Sequence, residues 1–195
     1  MLSLFLAMTG FVGGHFLLSA PPVRTRLVAS LGELAFLAVY SIVSAAFLVS
    51  AVIAYRAAPS VALWDLGEAG RWIAVIVMPF SLMLAVAGLT SRNPTLVGGE
   101  RMGEQLLSLG GIMTITRHPF LWGAALWALA HLVTNGDAAS LVLFGGMAIL
   151  ALAGMAAIDA LIDLEEGRLA ALRYEGSPPA QRRQAAVDLD RLMSL

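Results

Sequence analysis

Three histidines carry most of the chemistry open to this chain. His118 and His131 lie in one stretch, IMTITRHPFLWGAALWALAHLVTNGD (residues 112–137), and His15 follows Gly10, Gly13 and Gly14. An imidazole inside an apolar segment is costly unless it pairs, lines a cavity or binds a metal, which makes each of the three a functional candidate. The structural alternative is a histidine bonded to a neighbouring carbonyl. His118 and His131 are thirteen residues apart, about 20 Å along one helix and roughly 220° around it, so both cannot ligate the same metal. A shared site needs His15 from another helix.

Other chemistries are closed. No lysine occurs, which removes Schiff-base catalysis and the lysine of a phosphate-binding P-loop. No cysteine occurs, which removes disulfides, thiolate ligands and thiol nucleophiles. A formal net charge of −1 argues against a nucleic-acid partner.

The elements that must hold these residues are membrane helices. Hydrophobic residues make up 59% of the 195 and charged residues 13%, against about 25% charge in ordinary globular chains. Mean hydropathy is +0.83. The expected fold is all-α, a polytopic bundle of about five spans at 2–20, 31–54, 71–90, 112–134 and 138–162, forming a transmembrane domain over 1–163. Residues 164–195 form a cytoplasmic interfacial tail. Running into it, Leu161, Leu164, Leu169 and Leu172 recur at near-helical spacing, the pattern of an amphipathic helix.

Pro21-Pro22 reads as a stop to the first helix, and the first apolar run, without a basic leader or a good cleavage pattern, as a retained span. Pro79 lies inside the third span, and Pro119 suits the first turn of the fourth. Trp64 and Trp72 read as interfacial aromatics, and Asp137, Asp159 and Asp163 as interfacial carboxylates. Between Ser91 and Gly111 a polar stretch suits a short surface helix. An outside N-terminus puts Arg24, Arg26, Arg92, Arg101, Arg117 and the five tail arginines on the cytoplasmic side, leaving only Arg56 and Arg71 outside. This bias orients the chain in a cell inner membrane with its C-terminus in the cytoplasm. His15 and His118 then share a depth near the cytoplasmic side, whereas His131 lies toward the outer one.

The stretch Gly111-Ile-Met-Thr-Ile-Thr-Arg-His-Pro119, with Trp127-Ala-Leu-Ala-His131, Asn135-Gly136 and the early His15 followed by an arginine pair and Gly32-Glu33, resembles the NnrU family. That family includes the plant and cyanobacterial 15-cis-zeta-carotene isomerase. The resemblance implies a multi-pass membrane protein binding heme b through two axial histidines, His15 and His131 by position. It leaves Arg117 and His118 free to bond a heme propionate or a substrate, and Trp127 able to stack on a porphyrin. Two functions follow: a heme-dependent cis–trans isomerase of a polyene or membrane lipid, or a non-enzymatic heme factor supporting nitrogen-oxide respiration (denitrification). In the isomerase a cysteine three residues before the second histidine is linked to ligand switching; Ala128 stands there in this chain. A weaker likeness joins Arg117-His118-Pro119, Glu165-Glu166 and Tyr174-Glu175-Gly176 to membrane methyltransferases that use S-adenosylmethionine.

Overall fold

Long apolar runs broken by proline and glycine dictate helices, and helices are what form. The computed structural model describes residues 1–91, 111–174, 178–181, 183–184 and 186–187. The surface piece expected between Ser91 and Gly111 lies outside the described residues but for its ends, as do Glu175-Gly176 and most of the tail. The helices are α1 (Leu2–Ser19), α2 (Pro21–Leu31), α3 (Glu33–Arg56), α4 (Gly67–Thr90), α5 (Pro119–Thr134) and α6 (Ala138–Tyr174), with a 3₁₀ turn at Gly111–Thr114. Among the described residues the extended structure is one isolated bridge, Ala62 to Asp137.

Among the described residues, four helices are long and apolar enough to cross a membrane: α1, α3, α4 and the part of α6 up to Leu164. The fourth expected span is shorter than its apolar run. α5 has 16 residues, about 24 Å of helix against a hydrocarbon core of about 30 Å. Pro21-Pro22 ends α1 but also begins α2, because a proline in the first turn gives up an N–H that has no partner there anyway. Pro79 is accommodated inside α4 without ending it. α6 runs unbroken through the expected end of its span to Tyr174.

Contacts divide the chain into two units. The first comprises Met1–Ser81 and Ala124–Ala151. Its core follows helical spacing on α1, where Leu4, Ala7, Met8 and Phe11 form one stripe packed with Ala51 of α3 and Ala139, Leu143 and Phe144 of α6. Gly10 lies directly against the Phe47 ring and His15 against Tyr40, so α1 and α3 run antiparallel. A β-carbon at Gly146 would stand 2.6 Å from Met8 Cε, and Ser140 Oγ lies 2.9 Å from the Tyr55 hydroxyl. α6 therefore runs parallel to α1, and α5, its hairpin partner, runs against it.

The hairpin turn is tied down by the α3–α4 connection. Leu63 and Trp64 N–H groups donate to Gly136 O at 2.7 and 3.0 Å, and Ala138 N–H donates to Val61 O at 2.9 Å. Trp64 Nε1–H donates to Val133 O at 3.1 Å. This use of Trp64 goes beyond the interfacial role read from its type. Asp137 caps α6: one carboxylate oxygen accepts from the Ala139 and Ser140 N–H groups, both at 2.9 Å, and the other accepts from the Ser140 hydroxyl at 2.6 Å. Burial alone would raise the Asp137 carboxyl, but these hydrogen bonds favour its charged form and hold it below the ordinary carboxylate value.

The second unit comprises Leu82–Gly123 and Leu152–Leu195. Here the last turns of α4 meet the start of α5. A β-carbon at Gly88 would stand 2.5 Å from Phe120 N. Small residues let two helices approach this closely.

Outward, the helices are apolar. Ile42, Val49 and Ile53 of α3 and Trp72, Val75, Ile76 and Phe80 of α4 are exposed. Exposed apolar rows on span-length helices are what a lipid-facing surface requires.

Candidate heme-ligand site

His15 sits just before the last turn of α1 and His131 in the last turn of α5, and both make the same local bond. His15 Nδ1 lies 2.8 Å from Phe11 O, and His131 Nδ1 lies 2.9 Å from Trp127 O. A carbonyl only accepts, so each Nδ1 carries the proton and each Nε2 of the neutral ring presents a bare lone pair. Among the described residues no hydrogen bond reaches either Nε2. A histidine that ligates a metal is held this way, with its second nitrogen donating to a carbonyl that fixes the ring and raises its basicity.

Aromatic neighbours fix both rings. Phe11 packs edge-on to His15 with centroids 4.5 Å apart, and Tyr40 packs edge-on at 5.3 Å. His131 packs against Trp127 at 4.9 Å and Phe144 at 4.8 Å, the latter tilted by 31°, and those two rings meet each other at 5.3 Å. Phe11 and Phe144 belong to one buried core cluster, against which Trp127 also packs. The two imidazoles therefore flank the same apolar cluster.

Their depths along the bundle differ. His131 lies against Phe144, two residues before the Gly146 that packs on Met8, and Met8 and His15 are seven residues apart; with α6 parallel to α1 these offsets add to roughly 13 Å along the bundle. Each ring leans back along its own helix toward the residue four before it. Since α1 and α5 run in opposite directions, those leans narrow the gap from both ends.

The donor set fits a porphyrin better than a bare ion. Among the described residues no group of three or more His, Cys, Asp or Glu side chains gathers to hold a metal. Two imidazoles suffice when the other four positions on the iron come from a macrocycle. Near His15 the chain also leaves room: a β-carbon at Gly13 or Gly14 would meet nothing within 4 Å.

The remaining sequence candidates fall elsewhere. His118, one residue before α5, is buried at 4% exposure, and its Nε2–H donates to Asp159 Oδ1 at 3.0 Å. That nitrogen is therefore committed, whereas those of His15 and His131 are not. Arg117 is exposed. Ala128, one turn before His131, is fully buried.

Tyr40, Phe144 and Asp159 complete these environments. In sequence Tyr40 is one of several polar residues, with Ser41, Ser44 and Ser50, along the second span, Asp159 reads only as an interfacial carboxylate, and Phe144 gives no signal. What links them to the histidines is spacing between helices, which sequence spacing does not encode.

Compared with known proteins, residues 3–187 match a family model described as NnrU protein. No curated protein and no solved structure matches significantly.

Proposed function

Since the chain belongs to the NnrU family, matched over residues 3–187, we propose that it is a heme b-binding, multi-pass inner-membrane protein supporting nitrogen-oxide respiration. His15 and His131 are its axial ligands in this reading. The observation that carries it is the matched state of those two imidazoles: each is locked by its own helix with Nδ1 protonated and Nε2 bare, and each packs on a phenylalanine of the same buried apolar cluster.

A bis-histidine heme supplies one-electron transfer. The chain's own part is to bind and to insulate. The Phe11 and Trp127 carbonyls hold the two tautomers, and Phe11, Tyr40, Trp127 and Phe144 fix the ring planes and exclude water. The basic side then faces the cytoplasm and the N-terminus lies outside, by the distribution of arginines.

The alternative within the same family is a heme-dependent cis–trans isomerase of a polyene or lipid. The buried Ala128 weighs against it, because no thiol stands one turn before His131 to displace that ligand.

Protein purified from heme-sufficient cells should give a pyridine hemochrome spectrum of b type with roughly one heme per chain. A covalent c-type signal is not expected, as the attachment cysteines are missing. Colourless protein that binds S-adenosylmethionine would overturn the reading in favour of a methyltransferase.

A further inference from the structure

In the second unit the His118 imidazole carries an anomaly that the heme reading does not use. Its side chain is 5% exposed. One nitrogen is engaged: Nε2–H donates to Asp159 Oδ1 at 3.0 Å. The other, Nδ1, is buried and has no hydrogen-bond partner among the described residues. Buried polar atoms without partners are rare, and leaving one unsatisfied is expensive, so each calls for an explanation.

The ring is held firmly in this state. Its backbone N–H donates to Thr116 Oγ1 at 3.2 Å, and the fully buried Pro119 follows it at the start of α5. Asp159, with its side chain 47% exposed, fixes the tautomer from outside. A carboxylate accepts, so Nε2 holds the proton and the buried Nδ1 of the neutral ring is an acceptor. Placing a carboxylate on the far nitrogen strengthens that acceptor, as it does wherever a histidine is oriented to receive a hydrogen bond.

We propose that His118 and Asp159 form a binding site for the hydroxyl group of a membrane amphiphile, with Nδ1 as its acceptor. Three features select that chemistry. The vacant valence accepts, so the ligand must donate. The Asp159 carboxylate one ring away repels an anionic head. α5, which begins directly after His118, and α4, packed on its start at Gly88, are apolar, so a ligand reaching Nδ1 along them carries a hydrocarbon body.

The test uses the full-length protein, labelled with ¹⁵N-histidine, in a detergent without hydroxyl groups at pH 8. Glutamine replacements of His15, His118 and His131 assign the signals, and the probes are 1-octanol, octanoate and octane. In the wild-type protein His118 should show the Nε2–H tautomer. Octanol should shift its Nδ1 signal saturably toward the hydrogen-bonded value, while octanoate and octane leave it in place. Asp159→Asn should raise the octanol concentration for half the shift by about tenfold, the difference between a charge-assisted and a neutral network.

A Nδ1 signal that octanol does not move overturns the proposal, since a trapped water or internal partner then fills the valence. Equal responses to octane, or an Nδ1–H tautomer, overturn it as well. The wild-type titration decides even if Asp159→Asn and His118→Gln fail to fold, because the His15 and His131 replacements then assign the His118 signal by elimination.

Discussion

Asp137 shows how one side chain can serve two helices. Its carboxylate closes the first turn of α6 and, through the Ser140 hydroxyl, reaches Tyr55 at the end of α3. Replacing an N-cap aspartate by alanine costs about 1 kcal/mol, or about 2–4 °C of Tm for a chain of this size. Asp137→Ala should therefore melt a few degrees below the wild type at neutral pH. The pH dependence has a definite sign. The folded carboxyl lies below the ordinary carboxylate value, so its contribution is complete above that value and is lost as pH falls through the lowered one. The melting difference between variant and wild type should shrink below about pH 4, as followed by thermal scans in detergent. A gap that stays constant down to pH 2 would show that the charge of Asp137 is not what stabilises the turn.

Among the helices, the close approach of α4 to α5 rests on Gly88, whose missing side chain lets the Phe120 backbone in. Gly88→Ala sets a β-carbon against backbone that cannot rotate away. Overpacking of this kind costs about 1–3 kcal/mol, so the variant should lower Tm, whereas Gly13→Ala, where a β-carbon meets nothing, should leave it nearly unchanged. Equal melting of the two variants would contradict the packing described. The existence of the helices was legible in sequence because each span is a long apolar run, and lipid-immersed backbone has few alternatives to a helix. Their joints were less so. Pro21-Pro22 reads as a stop, yet proline serves a first helical turn as well as it ends a preceding one. α5 begins at Pro119, seven residues inside its apolar run, because Gly111–Thr114 is taken up by a 3₁₀ turn. The two ends of the candidate site, His15 and His131, stood out as imidazoles in apolar surroundings. The pairing of His118 with Asp159 did not, since 41 residues and a helical hairpin separate them.

Across the chain, the proposed orientation rests on the arginine distribution and the proposed function on the histidines. Reporter fusions at Thr134, at the end of α5, and at Leu195 should report opposite sides of the membrane, the latter cytoplasmic. Agreement between the two positions would mean that an even number of spans separates them. The proposed ligand pair makes helices α1 and α5 serve one iron. It is tested most directly by the ferric absorption and EPR spectra of purified wild-type protein beside His15→Ala, His131→Ala and His118→Ala. The wild type should be low-spin and six-coordinate. His15→Ala and His131→Ala should each lose that signal and most of the heme, while His118→Ala, whose Nε2 is already bound to Asp159, should keep both. A His118→Ala protein that loses the low-spin signal while His131→Ala retains it would contradict the assignment.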